Sequence, residues 1–402
     1  MNIQEFAKDI FYVGVNDRVK HKFEGLWPLP YGVSYNSYIV KGTGHVALID
    51  TVSITEVREY LDKIRFISGD TKIDYLIVNH MEPDHSGSIP EIVSAYPEIK
   101  IVGNSKTIDM VKGFYHIDDP DRFYEVKDGD TIDLGGRVLK FYLTPMVHWP
   151  ETMMTYVEDL EVLFSGDAFG TFGALNGAVL DKDMETSVYI SEMYRYYSNI
   201  VGKYGRFVNN AIAKLSGLKI SYICSTHGPV WTEKIAEVTK IVSDLASYRS
   251  EPGAVIIYGS MYGNTAEVAE MIASELAANG VRRIIVHNAS HSDMSDMITD
   301  AFRYQTLIVG SATYSMRLFP PVEAFLSAME TREIKGKVLA TFGNFTWAPV
   351  AVEGKFNEYA DRMKLPVCAS MKIKQSSDST TPSDVKAFVA SVLEAVKNID
   401  NK

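Results

Sequence analysis

Ile73-Asp74-Tyr75-Leu76-Ile77-Val78 runs directly into Asn79-His80-Met81-Glu82-Pro83-Asp84-His85. The first six residues read as a buried strand, a short apolar run that stops abruptly at polar residues. Four ionisable side chains, those of His80, Glu82, Asp84 and His85, then fall within six positions. Pro83 restricts the backbone in their midst, and Ser86-Gly87-Ser88-Ile89-Pro90 turns into a helix. A strand end feeding such a loop suits a metal, because the strand fixes where the loop begins. A solvated surface loop has a similar composition, so a metal site needs ligands from other segments as well.

Three later segments repeat the grammar of strand, then ligand. Leu143-Thr144-Pro145-Met146-Val147 leads to His148, and Val162-Leu163-Phe164-Ser165-Gly166 leads to Asp167. Ile220-Ser221-Tyr222-Ile223-Cys224-Ser225-Thr226 leads to His227. One histidine after a strand is usually an ordinary loop residue. Four strands ending in His or Asp within one half of the chain are hard to obtain by chance.

The 402 residues suggest two or three domains, each long enough for its own core. A formal net charge of −11 argues against nucleic acid or an anionic membrane as partner. Cys224 and Cys368 are far apart, which excludes a disulfide scaffold or an attached iron–thiolate module and fits a reducing, cytoplasmic setting. Met1-Asn2-Ile3-Gln4-Glu5-Phe6 has no basic or apolar signal region, and no apolar run is long enough to span a bilayer.

Residues 1–250 read as strands first, then mixed helices and strands. Gly135-Gly136 marks a hairpin turn. Ser187–Tyr204 reads as helical; its Tyr and Met recur at helical spacing, which favours packing over a stacking platform for bases. The long helix Glu233–Tyr248 closes this part, and Arg249-Ser250-Glu251-Pro252-Gly253 marks a boundary. Residues 251–402 then alternate strand and helix five times, the pattern of a doubly wound parallel sheet.

This second part has its own site grammar. Ser260-Met261-Tyr262-Gly263-Asn264-Thr265 lies between the first strand and first helix. Small and hydroxyl residues there let backbone N–H groups approach a phosphate at a helix N-terminus. No Lys follows a GxxxxG and no GxGxxG is present, so neither a Walker loop nor a dinucleotide fingerprint is met. Loops containing Ser311-Ala312-Thr313-Tyr314 and Gly343-Asn344-Phe345-Thr346-Trp347 follow the third and fourth strands. They converge on the same switch point, where Tyr314 and Trp347 are placed to cover a planar ring. Three such loops favour flavin mononucleotide (FMN). A polar turn capping a helix, with aromatic loop anchors, is the competing reading.

With these motifs in order, the chain resembles a flavodiiron protein along essentially its whole length. The resemblance implies an α/β two-domain architecture. A metallo-β-lactamase-like αββα sandwich is followed by a flavodoxin-like doubly wound parallel sheet. In that family HxExDH is followed after about sixty residues by His, then about twenty later by Asp, then about sixty later by His, as in this chain. It implies that His80, Glu82 and His148 bind one iron, that Asp84, His85 and His227 bind the other, and that Asp167 bridges. It also implies FMN on the Ser260–Thr265 loop, and O2 or NO as substrate. The resemblance further implies a head-to-tail homodimer or dimer of dimers that brings each flavin to the other chain's metals. With no CxxC pair in the sequence, it also implies that electrons come from a separate rubredoxin-like donor.

The residues themselves bear on the metal. Hydrolytic members of the superfold carry HxHxDH with zinc, whereas the second position here is Glu82. Three carboxylates, Glu82, Asp84 and Asp167, with one hydroxide neutralise two ferrous ions. That mixture of carboxylate and imidazole suits an oxidisable first-row metal. Zinc stays open on affinity grounds. The alternatives are thus a zinc-dependent hydrolase with an attached flavodoxin domain, and an electron carrier whose first domain is a docking scaffold.

Overall fold

The computed structural model describes residues 3–69 and 71–400; Met1 and Asn2, where the N-terminal reading begins, lie outside the described residues. The chain divides into two compact units, Met1–Ala246 and Ser247–Lys402.

The first unit is a metallo-β-lactamase-like αββα sandwich. One sheet runs, in spatial order, Gln4–Ala7, Ile10–Tyr12, Tyr38–Lys41, Val46–Ile49, Tyr75–Ile77, Lys100–Gly103 and Phe123–Glu125. The other runs Thr131–Asp133, Val138–Leu143, Met153–Val157, Val162–Gly166 and Tyr222–Ser225. Their inner faces meet at Tyr38, whose ring lies 5.1 Å from that of Phe164 and whose hydroxyl donates to Ser225 O at 2.8 Å. Val46–Ile49 and Val162–Gly166 are buried along their whole length. Strands covered on both faces read as continuous apolar runs rather than alternating ones. Gly135 and Gly136, at φ 92 and 77, make the expected hairpin between Thr131–Asp133 and Val138–Leu143.

The second unit holds five parallel strands in the spatial order Ile284–Asn288, Glu251–Gly259, Tyr304–Tyr314, Val338–Phe345 and Val367–Lys374. In chain order this is second, first, third, fourth, fifth, the flavodoxin-like arrangement. Ile256, Ile308 and Phe342 from the sheet pack against Val268 and Ile272 of helix Asn264–Ala278. They also meet Val385 and Phe388 of helix Thr381–Asp400. Each such side chain contributes about 1.5–3 kcal/mol by leaving water.

Several elements differ from the sequence reading. Ser187–Tyr204 is not one helix: an α-helix ends at Tyr196, a π turn covers Tyr197–Val201, and a 3-10 turn follows to Tyr204. Gly202 N–H bonds back to Tyr197 O, one residue further than in an α-helix. Tyr189, Met193, Tyr196 and Tyr197 are buried, as packing requires. Helix Phe356–Met363 is likewise preceded by a π turn, Ala351–Lys355. The stretches read as loops after the third and fourth strands are partly strand: Thr313 pairs with Leu318 in a short hairpin, and Ala312 pairs with Asn344. The first is a tight local hairpin that the sequence reading took for loop, whereas the partner of Ala312 lies on a separate strand, beyond the reach of local sequence. Among the described residues, no helix is long and apolar enough to cross a membrane.

Candidate metal centre and cofactor cleft

All seven ligands expected in the first unit come together. Pro83 starts a one-turn helix, Pro83–Ser86, a position where its missing N–H costs nothing. That turn carries Asp84 and His85 inward behind His80 and Glu82. Asp167 follows Gly166, which takes φ 56 at the end of its strand. His227 precedes Gly228, at φ 80; a Cβ there would meet Thr171 Cγ2 at 2.6 Å.

The side chains form two groups, His80, Glu82, His148 and Asp167, and Asp84, His85 and His227. His148 Nε2 lies 3.0 Å from Glu82 Oε2 and 3.1 Å from Asp167 Oδ2. His80 Nε2 lies 3.3 Å from His148 Nε2 and 3.6 Å from Asp167 Oδ2. In the second group, His227 Nε2 is 3.1 Å from Asp84 Oδ2, and His85 Nε2 is 3.1 Å from Asp167 Oδ1. Asp167 thus turns Oδ2 to one group and Oδ1 to the other. Ligands about 2.1 Å from a shared cation at right angles stand about 3 Å apart, so the spacing fits a metal. Both oxygens of Asp84, and Nε2 of His85 and of His227, are buried with only these close carboxylate–imidazole approaches and no aligned hydrogen bond. Such orphaned atoms converging on one point fit a bound cation.

The electrostatics agree. Burial works against charge on His148, yet hydrogen bonds to Asp167 and Glu82 hold its imidazolium up to about 10. Burial likewise opposes charge on His85, and Asp84 and Asp167 overcome it, again to about 10. Burial alone would raise Asp167, but His85 and His148 hold it well below the carboxylate range. Protons on the histidines occupy the place that cations can take.

Several positioning residues escaped the sequence reading. Glu151, fully buried, accepts from His80 Nδ1 at 2.6 Å and from Met81 N at 2.9 Å. Asp50 accepts from Asn79 N at 2.7 Å and from Asn79 Nδ2 at 2.9 Å, clamping the root of the ligand loop. Ser34 O accepts from His227 Nδ1 at 2.7 Å. The carboxyl of Glu24, an exposed residue beside Glu82, is pushed up to about 7 by partial desolvation and then by that carboxylate. Asp50 ends a strand as the ligands do, a signal that was present. Glu151 has none, since its partner is seventy-one positions away. Trp149 sets its ring edge-on to His80 at 5.3 Å.

In the second unit, the expected residues gather at the carboxyl ends of three adjacent strands. Gly259 is in register with Ser311, and Ser311 with Gly343. Helix Asn264–Ala278 begins at Gly263 without a side-chain cap, so its first N–H groups are left for a ligand. Ser260 Oγ accepts from Gly263 N at 3.1 Å, and Thr265 is buried. Thr313 Oγ1 is buried without a partner. Ser311 Oγ is already engaged, accepting from Phe319 N and donating to Ala312 O, both at 2.8 Å. Asn344 Nδ2 donates to Gln375 O at 2.5 Å. Met261, Tyr262, Tyr314 and Trp347 are large side chains left exposed around this rim, Tyr262 by 92% and Trp347 by 85%. An uncapped helix start and uncovered aromatic faces fit a phosphorylated planar ligand.

A sandwich carrying a histidine–carboxylate metal group, joined to a flavodoxin-like sheet with an open phosphate-type loop, defines the class. Residues 33–228 match the ODP family beta lactamase and residues 256–370 match flavodoxin. The chain is 32% identical over 351 residues to the anaerobic nitric oxide reductase flavorubredoxin of Escherichia coli O1:K1, covering 86% of this chain and 72% of that one. Its fold is similar to the rubredoxin oxygen:oxidoreductase of Desulfovibrio gigas, with TM-score 0.93, 26% identity and 99% of both chains covered. It is also similar to a flavo di-iron protein of Thermotoga maritima, with TM-score 0.89, 27% identity and 98% of both chains covered. The chain belongs to the flavodiiron protein family, a family of oxidoreductases.

Proposed function

We propose that this protein reduces O2 to water or NO to N2O at a non-haem diiron site, with FMN relaying electrons from a separate small donor such as a rubredoxin. Asp167 carries the reading: its two oxygens face different ligand groups, as a carboxylate shared by two metals requires. In this reading His80, Glu82 and His148 would hold one iron and Asp84, His85 and His227 the other, with Asp167 shared between them. When bound, the iron pair and FMN together supply four electrons, the number that takes O2 to two waters; two NO need only two.

The chain's own residues prepare this chemistry. Glu151 and Ser34 accept from the Nδ1 atoms of His80 and His227, so each Nε2 is free to ligate. Glu82, Asp84 and Asp167 balance the charge of the cations. Burial of the set keeps bulk water away. In the second unit, the start of helix Asn264–Ala278, with Ser260 and Thr265, would hold the phosphate, while Tyr314 and Trp347 would cover the ring. A head-to-tail dimer would bring one chain's flavin to the other's metals.

The test is metal analysis of gently purified protein, followed by gas consumption after anaerobic reduction. About two irons per chain with O2 or NO uptake is the expected result. Two zincs that persist after iron-replete expression, with ester or lactam hydrolysis and no gas uptake, would replace this reading with the zinc hydrolase.

A further inference from the structure

The second unit holds a further pocket, at the end of the sheet opposite the flavin loops. A cavity of about 560 Å³ opens at the amino ends of its first and third strands. Sites for small organic ligands span about 300–1,000 Å³. Leu276 of helix Asn264–Ala278, Val281 just beyond it, and Val392, Leu393 and Val396 of helix Thr381–Asp400 form an apolar wall. Leu276 and Val392 are buried, and the other three are half-buried.

A bulge shapes the rim. Glu251 pairs with Tyr304 but Ala254 with Thr306, so the first strand carries one extra residue at Pro252-Gly253. Bulges of this kind bend a strand and end its regular pairing. A Cβ on Gly253 would meet Tyr304 Cδ1 at 2.8 Å, so glycine lets the bulge lie this close.

Charge decides the ligand. Arg282, Arg283 and Glu251 line the polar side. Glu251 is already engaged, by Arg283 at 2.8 Å and by Arg303 at 2.7 Å. Arg282 is exposed, and among the described residues its side chain makes no ion pair or hydrogen bond. The carbonyls of Glu275, Leu276 and Ala277 at the helix end accept from the N–H groups of Asn279, Val281 and Gly280 at 3.0–3.1 Å. They therefore present little bare negative charge to the pocket. What remains is one unmatched guanidinium beside an aliphatic wall. A guanidinium holds a carboxylate through two parallel bonds, and the wall takes an apolar body.

We propose that this pocket binds an amphipathic monocarboxylate, in its simplest form a fatty-acid anion, with the carboxylate on Arg282 and the chain against Leu276 and Val392. The site is separate from the metal group and from the flavin loops, and the inference does not rest on the reaction proposed above.

The test titrates holoprotein, loaded with iron and FMN, with octanoate and separately with 1-octanol by calorimetry. Octanoate should bind saturably, one molecule per chain, and raise the melting temperature. 1-Octanol lacks the carboxylate and should bind about ten-fold more weakly or worse. Arg282→Gln changes an exposed side chain; it should weaken octanoate by a similar factor while iron and FMN per chain and the binding of 1-octanol stay as in the parent. Val396→Trp should fill the apolar side and weaken both. Absence of saturable octanoate binding, equally tight 1-octanol, or parent-like octanoate binding by Arg282→Gln would overturn the proposal. None of these readouts uses gas turnover, so failure of the reductase reading would show separately.

Discussion

The Glu151 carboxylate lies 2.6 Å from Nδ1 of His80, with both side chains fully buried. That bond leaves Nε2 of His80 directed at Glu82, His148 and Asp167. Outer partners of this kind change metal affinity by about 10–100-fold. Glu151→Gln should weaken iron retention by that order, read by competition with a chelator, while circular dichroism stays unchanged. Parent-like retention would reduce Glu151 to a packing role.

Asp167 and His227 should behave differently on removal. Asp167 faces both ligand groups, whereas the 3.1 Å contact of His227 is to Asp84, within the second group. Asp167→Ala is therefore expected to deplete both metals, and His227→Ala mainly one. Iron per chain, measured on both variants side by side, decides. Equal loss in the two would contradict the shared role of Asp167.

Removing the metals should make stability depend on pH in a definite direction. Burial opposes charge on His85 and His148, but the surrounding carboxylates hold both up to about 10, above the ordinary 6.5. The folded metal-free chain therefore binds more protons than the unfolded chain between those values. This contribution is fully present below about 6.5 and is lost as pH rises toward 10. The melting temperature of metal-free protein should fall across that window, and His148→Ala should flatten the slope. Metal binding near pH 7.5 should release protons, seen as a buffer-dependent binding enthalpy. A slope of the opposite sign would refute this account.

Gly310 tests packing in the second unit. A Cβ there would fall inside van der Waals contact with the Phe342 ring, which is fully buried. Gly310→Ala should cost at least the about 1–3 kcal/mol typical of overpacking. Adding Phe342→Leu should recover part of that loss in thermal melts. No recovery would mean that the strain lies elsewhere.

Trp347 is 85% exposed at the rim of the cleft. If its ring covers a flavin, FMN added to apoprotein should quench tryptophan fluorescence, and Trp347→Phe should remove most of that quenching. Equal quenching in the variant would place the flavin away from this side chain.

Much of the molecule was legible in the chain. Short apolar runs ending in His80, His148, Asp167 and His227 declared strands with ligands at their ends, because burial and turn formation leave local traces. The strand–helix alternation after Gly253 did the same for the flavodoxin-like sheet. The π turn at Tyr197–Val201 left no such trace, since local propensity does not distinguish an i→i+5 bond from an i→i+4 bond. The pairing of Ala312 with Asn344, which turns an expected loop into strand, was equally hidden.

By itself, then, the sequence determined which residues are able to ligate and on which kind of element each sits. The tertiary structure decided which of them meet. That Asp167 faces two groups, that Glu151 orients His80, and that Leu276 and Val392 from separate helices wall one pocket with Arg282 are all products of how the sheets and helices pack. The physical reason is distance along the chain: hydrogen bonds and excluded volume between segments tens of residues apart come into being only when the core closes around them.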